Sequence, residues 1–287
     1  MAVLWLSESC REDPNVTTSS SYGIVERLPG NTEIDVHAER ICASGVTVVP
    51  GGYSSHRIAY LSDRIDELLA EQAARAGGVE VLAEIGEDET LRCCLAHDEA
   101  FVQLATNPQV MAVCRLLLGD YFVLTLQNAI VNPAGGAHYQ ARCHRDLPYQ
   151  HFVSSRPMAI SALFCVDPLT AENGGTVILQ GTHKIEQFPS AAIVSELERS
   201  IEAPAGSFLV FDSMVFHRAG HNRSTRPRRA VNHVYGLPFI AQQISLPDVL
   251  GGRHAHDPAL ARLFGYETRP AASLEAWWES RRARLRR

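Results

Sequence analysis

The chain lacks any long hydrophobic run. No stretch approaches the roughly 18 uninterrupted apolar residues needed to span a bilayer, so no membrane partner is expected. It also lacks a basic segment followed by an apolar run near its start, and a secretory leader is not expected. There is no basic excess: 26 Lys and Arg face 32 Asp and Glu, a net charge of -6, which counts against nucleic acid as a partner. The 7 cysteines (10, 42, 93, 94, 114, 143 and 165) are odd in number and have no zinc-knuckle spacing. That argues against a disulfide framework and for a reducing, cytoplasmic setting. Adjacent Cys93 and Cys94 read as small apolar fillers in a helix. No internal repeat is visible.

What remains is an ordinary globular composition, 46% hydrophobic and 20% charged over 287 residues, with enough apolar mass for a sizeable core. Residues 1–35 read as a loosely held arm with a polar Thr17–Ser21 patch. Val36–Val49 reads as a short helix running into a β-branched strand. Leu61, Ile65, Leu68, Leu69 and Ala73 recur at helical spacing, and Gly77-Gly78 closes that helix. Thr90–Leu118 reads as two helical stretches split at Asn107-Pro108. From Tyr121 the period changes to short β-branched or aromatic segments: 121–131, 158–166, 176–179, 207–212 and 230–236. Gly, Pro and Asn punctuate them. Many short strands with turn signals predict a mainly β protein with flanking helices, built on a jelly-roll core. The expected organisation is one domain, 1–287: a mostly helical part with an early strand (1–120), the jelly-roll core (121–240), and an extension with a basic terminal helix carrying Trp277-Trp278 (241–287). The arm and that terminal helix could pack in a homodimer.

The chemistry centres on Tyr139-Gln-Ala-Arg-Cys-His-Arg-Asp-Leu-Pro148. His144 and Asp146 are two residues apart, and in an extended strand alternate side chains share a face. A second imidazole, His217, ends a later strand-like run from Val210. Two histidines and a carboxylate on one face of an iron leave the opposite face open, the arrangement of non-haem Fe(II) oxygenases. Arg228 follows on or just before the next strand. Its planar fork suits a carboxylate, although Arg226 and Arg229 are close neighbours and alternation could place Arg226 on the same face. The His254-Ala-His256 pair sits in a Gly/Pro-bounded loop and reads as incidental.

Taken together, His144-x-Asp146, Glu172-Asn-Gly-Gly-Thr176 with Gly181-Thr-His183, Pro204-Ala-Gly206-Ser-Phe-Leu-Val-Phe-Asp212, and His217 with Arg228 resemble the phytanoyl-CoA dioxygenase family. The resemblance is close from about Tyr121 to Pro238. It implies a double-stranded β-helix (jelly-roll, cupin-like) fold and an Fe(II)/2-oxoglutarate-dependent dioxygenase. Such an enzyme uses O2 to hydroxylate an unactivated C–H of a small-molecule metabolite, releasing succinate and CO2. His144, Asp146 and His217 would hold the metal, and Arg228 would hold the distal carboxylate of 2-oxoglutarate. Gln127 could reach the same cosubstrate or merely satisfy the backbone. Tyr139, Arg142, Tyr149, Gln150 and His151 could face the substrate. The Gly181-Thr-His183 turn is expected to order a loop. Asp146 argues against the related halogenases, which carry a small residue there. Desaturation, cyclisation and epimerisation begin with the same hydrogen abstraction and stay open, as does a jelly-roll binding protein that has lost its chemistry.

Overall fold

The computed structural model describes residues 30–136, 139–147 and 152–285. Helix α1 (Glu33–Ser44) starts with a reciprocal cap. Asp35 N–H donates to Thr32 Oγ1 (3.1 Å), and Thr32 N–H donates to the Asp35 carboxylate (3.0 Å). It ends at Gly45, in the left-handed region at φ 89°. A side chain there would also strike Val215 Cγ2, 2.5 Å from an added Cβ, so glycine serves both the turn and the close approach. Strand β1 (Val46–Pro50) leads to α2 (Ser55–Ala76), which buries Leu61, Ile65 and Leu68 as their spacing predicts. Short α3 (Val79–Ala83) follows.

Thr90–Arg92 is strand β2 rather than the start of a helix, because it pairs with the next strand along its edge. Cys93 then turns left-handed at φ 53°, and Cys94 opens a single 3-10 turn. The Cys94 thiol is more than filler: its sulfur accepts the Ala129 N–H (3.1 Å) on the neighbouring strand. Helices α4 (Glu99–Ala105) and α5 (Pro108–Leu118) split where expected. Asn107 caps α5, accepting from Gln109 N–H (3.1 Å), and Pro108 fills the first turn.

The strands that follow are β3 (Val123–Asn132), β4 (Ala159–Cys165), β5 (Val177–Leu179), and, after α6 (Ala191–Leu197), β6 (Glu198–Ser200). Next come β7 (Ser207–Asp212), β8 (His217–Arg218) and β9 (Arg228–Gly236). Helices α7 (Leu246–Leu250), α8 (Pro258–Leu263) and α9 (Leu274–Leu285) close the chain. Among the described residues no helix is long and apolar enough to cross a membrane.

Among the described residues all strand pairings are antiparallel and form two sheets. The larger runs β1-β7-β4-β9-β3-β2 and the smaller β6-β5-β8. Ile41, Leu61, Ile65, Phe101, Val113 and Leu263 of the helices cover one face of the large sheet, meeting Ala162, Phe164, Phe208, Val210, Val231 and Tyr235. The alternate residues Leu163, Cys165, Leu209, Phe211 and Ala230 point the other way, toward Ile178 and Val215. Central β4 is therefore buried on both faces, which explains why Ala-Ile-Ser-Ala-Leu-Phe-Cys reads as a near-continuous apolar run. This double-sheet jelly roll with flanking helices is the fold the sequence predicts.

Candidate metal centre

His144 and His217 are brought together by backbone pairing. His144 N–H donates to the His217 carbonyl (2.9 Å) and His217 N–H to the His144 carbonyl (3.0 Å). Directly opposed residues in an antiparallel ladder project from one face, and the two rings lie 4.4 Å apart. Asp146, two residues along the same extended segment, lies beside them, and its N–H is held by the Ser213 carbonyl (3.1 Å). The Asp146 Oδ1 atom lies 3.4 Å from His217 Nε2 and 3.9 Å from His144 Nε2. One ligand atom from each residue falls within 4.8 Å of the others.

The hydrogen bonds fix which nitrogen each ring offers. His144 Nδ1 meets the Arg142 carbonyl at 2.9 Å, and His217 Nδ1 meets the Val215 carbonyl at 3.0 Å. A carbonyl only accepts, so both Nδ1 atoms carry a proton, and Nε2, which faces Asp146, is the nitrogen each ring can offer a metal once its own proton is given up. Ser161 Oγ donates to Asp146 Oδ2 at 2.5 Å. Burial opposes ionisation of Asp146, but His217, His144 and the Ser161 hydroxyl outweigh it and hold its carboxyl well below the usual carboxylate range. Burial lowers the His144 pKa, with His217 adding to the effect. At His217 burial also opposes the charge, yet the Asp146 carboxylate wins and raises the value. Two imidazole nitrogens and one carboxylate held in its ionised form fit a divalent first-row metal such as Fe(II).

Arg145, between His144 and Asp146, points the opposite way. Its guanidinium donates to the carbonyls of Met214 (2.7 Å), Thr182 and Glu186 (3.1 Å each) and Ile185, and lies over the Phe216 ring. It thus ties the His144–Asp146 strand to the segment carrying His217. Thr182 and His183 order this same turn, as expected: Thr182 Oγ1 donates to the Leu179 carbonyl (2.6 Å), and the His183 ring meets the Cys42 carbonyl (3.1 Å).

A cavity opens beside the three residues. Ile130, Leu163 and Phe211 wall it, and Gln140, Thr176, Asn232 and Arg228 line it. Arg228 is 3% exposed, on the inner face of β9. One of its Nη atoms donates to the Gly174 carbonyl (3.1 Å), its Nε has no partner, and no carboxylate pairs with it among the described residues. Burial lowers its pKa to about 10. The Asn173-Gly-Gly175 turn presents the Gly174 carbonyl. Gly174 sits at φ 72°, with an added Cβ only 2.4 Å from Asn132 Nδ2, so no other residue fits. Arg226 is exposed before the strand begins, and Arg229 is paired with Asp66 and Asp167, which singles out Arg228. Arg218, also at the wall, is held by Glu198 (3.1 Å).

The other site expectations fare differently. Gln127 does not reach the cavity. Its amide accepts from Leu95 N–H (2.7 Å), donates to the Phe101 carbonyl (2.7 Å) and meets His233 Nε2 (2.8 Å). The cause is a bulge between Leu124 and Leu126. Leu124 packs on the helix side and Leu126 on the opposite side, so the alternation flips and Gln127 turns toward the helices. Arg142 is exposed and does not line the cavity; its backbone carbonyl is the part that serves the site, orienting His144. Tyr139 lies in a 3-10 turn, Tyr139–Ala141, whose Gln140 lines the cavity; its own side chain is outside the described residues. Tyr149, Gln150 and His151 also lie outside them. Ser161, Ser213 and Asn232 went unnoticed in the sequence. For Ser161 and Asn232 the available signal was a polar residue at an inward position of an apolar strand.

The phytanoyl-CoA dioxygenase family model matches residues 41–230, reaching well upstream of Tyr121. The uncharacterized proteins Rv1501 of Mycobacterium tuberculosis and Mb1539 of Mycobacterium bovis are 27% identical over 268 residues, covering 91% of this chain and 97% of theirs. The iron/alpha-ketoglutarate-dependent dioxygenase penM of Penicillium thymicola is 29% identical over 148 residues, 50% of this chain and 47% of its own. Among solved structures, EctD from S. alaskensis with 2-oxoglutarate and 5-hydroxyectoine superposes with a TM-score of 0.57 at 20% identity, covering 70% of this chain and 74% of that one. The epimerase SnoN in complex with Fe3+, alpha ketoglutarate and nogalamycin RO gives 0.55 at 18% identity, covering 71% and 84%. At these identities the likeness speaks for the fold.

Proposed function

The chain belongs to the phytanoyl-CoA dioxygenase family of Fe(II)/2-oxoglutarate-dependent oxygenases, and we propose that it hydroxylates an unactivated C–H bond of a small-molecule metabolite. One observation carries this reading: a His-Asp-His cluster and a buried guanidinium without a carboxylate partner among the described residues share one cavity. His144 and His217 bind Fe(II) through Nε2 and Asp146 through Oδ1. Arg228 receives the distal carboxylate of 2-oxoglutarate through its planar fork. When bound, iron and cosubstrate supply the oxidation of a C–H bond by O2, with release of succinate and CO2.

The chain's own part is binding, orientation and exclusion of water. Arg228 is buried in a cavity that Ile130, Leu163 and Phe211 help to wall, and away from bulk water its attraction for a carboxylate is much stronger than in water. The carbonyls of Arg142 and Val215 hold both imidazoles in the tautomer that presents Nε2. The ligands seen with EctD and SnoN support the choice of iron and 2-oxoglutarate. SnoN is an epimerase, so the product decides the finer assignment.

The test is a panel of small molecules incubated with the protein, Fe(II), 2-oxoglutarate and O2. Succinate release and product mass are read together. Substrate-dependent succinate with a product that gains one oxygen is expected. Inverted stereochemistry at unchanged mass would make it an epimerase, and succinate that never rises with any substrate would count against the oxygenase reading.

A further inference from the structure

We infer that Ser161 and Ser213 form a hydroxyl pair that positions Asp146 to offer the metal one oxygen only. The inference rests on the iron-binding reading above. Ser161 is fully buried and is the single hydroxyl in β4. Its Oγ lies 2.5 Å from Asp146 Oδ2 and 2.8 Å from Ser213 Oγ. An ionised carboxylate accepts and cannot donate, so the one Ser161 proton goes to Oδ2. Ser161 can then only accept from Ser213, which fixes the order of donation: Ser213 to Ser161 to Asp146.

Ser213 is itself held through its main chain. Its N–H donates to the Ala159 carbonyl (3.1 Å), and its carbonyl accepts from Asp146 N–H (3.1 Å). The same residue therefore holds the Asp146 main chain directly and its carboxylate through Ser161. The result is a division of labour between the two oxygens. Oδ2 is occupied by a charge-assisted bond, and Oδ1 is left facing both Nε2 atoms. Turning the carboxylate to bring Oδ2 to the metal would break that bond in a buried place and strand the Ser161 hydroxyl. One position that a two-oxygen carboxylate would fill thus stays open. Neither serine touches the reacting atoms; both act through Asp146 and are positioning residues.

The test is an anaerobic titration with Co(II), read by its visible absorption, on full-length wild type, Ser161→Ala, Ser161→Thr, Ser213→Ala and Asp146→Ala. Loss of such a supporting partner typically weakens metal binding about 10–100-fold, and Ser161→Ala is expected in that range with an altered Co(II) spectrum. Ser161→Thr keeps the hydroxyl and should restore both affinity and spectrum, which a role in packing alone would not predict. Ser213→Ala keeps the direct bond but removes its donor, and should weaken binding by about fivefold, the worth of one ordinary hydrogen bond. Wild-type affinity and spectrum in Ser161→Ala overturn the inference. If that variant does not fold, unchanged binding in Ser213→Ala overturns it. Wild type that binds no Co(II), or Asp146→Ala that binds it as well as wild type, removes the metal centre and this inference with it.

Discussion

His144 and His217 are direct cross-strand partners, joined by two backbone hydrogen bonds of 2.9 and 3.0 Å with their rings 4.4 Å apart. Two candidate ligands distant in sequence thus face each other across one β-bridge. Metal binding should therefore stiffen the ladder. A divalent metal at about 100 times its dissociation constant adds about 2.7 kcal/mol of stability. The expected outcome is a higher melting temperature and slower amide exchange at His144, Asp146 and His217. Chelation should reverse both, and Asp146→Ala should show neither.

Arg228 sets binding against stability. A fall in its pKa from 12.5 to about 10 corresponds to about 3 kcal/mol of disfavoured charge in the ligand-free protein. Arg228→Met should unfold at higher urea than wild type when 2-oxoglutarate is absent. With Fe(II) in both arms, the order should reverse at saturating cosubstrate, which stabilises wild type only. Equilibrium unfolding with and without 2-oxoglutarate checks both halves.

Gln127 separates a structural role from a cosubstrate role. Gln127→Leu leaves Leu95 N–H, the Phe101 carbonyl and His233 without a shared partner. Each buried group left unsatisfied costs about 1–3 kcal/mol. A loss of several kcal/mol in urea unfolding is expected, with the 2-oxoglutarate KM of the folded fraction unchanged. A raised KM at unchanged stability would place Gln127 in the cavity after all.

The same strand shows what the sequence could and could not disclose. His144, Asp146 and His217 were legible as a candidate group because metal chemistry demands those residue types and alternation puts the first pair on one face, and Arg228 stood out as a cation at the start of the next strand. The sequence leaves Gln127 open between the cosubstrate and the backbone because a bulge beside Thr125 leaves no mark in the hydrophobic pattern, yet it turns every later side chain over. Strands β2 and β6 are each three residues long and are fixed by their partners rather than by their own composition. Ser161 was hidden in an apolar strand, where its role depends on Asp146 and Ser213 arriving from elsewhere in the chain. The covering helices were read from spacing and caps, since Leu61, Ile65, Leu68 and Asn107-Pro108 act locally.

His233 gives the protein an acid-sensitive core. It is fully buried, and burial lowers its pKa from 6.5 to about 4. The unfolded chain therefore binds the extra proton first as pH falls. The stabilisation is complete above about pH 6.5 and is lost as pH drops through about 4, to a total of about 3 kcal/mol. Urea midpoints measured across that window should fall with pH in wild type. His233→Gln should be less stable at neutral pH, with a shallower dependence over the same range.

The most direct test of the account is equilibrium binding of labelled 2-oxoglutarate, under anaerobic conditions, to wild type with and without Fe(II), and to Asp146→Ala and Arg228→Met with Fe(II). Tight binding only to iron-loaded wild type, lost in both variants, is the predicted result, because the metal end and the guanidinium end must hold the cosubstrate together. Binding undiminished in Arg228→Met, or equally tight in wild type without iron, would contradict it.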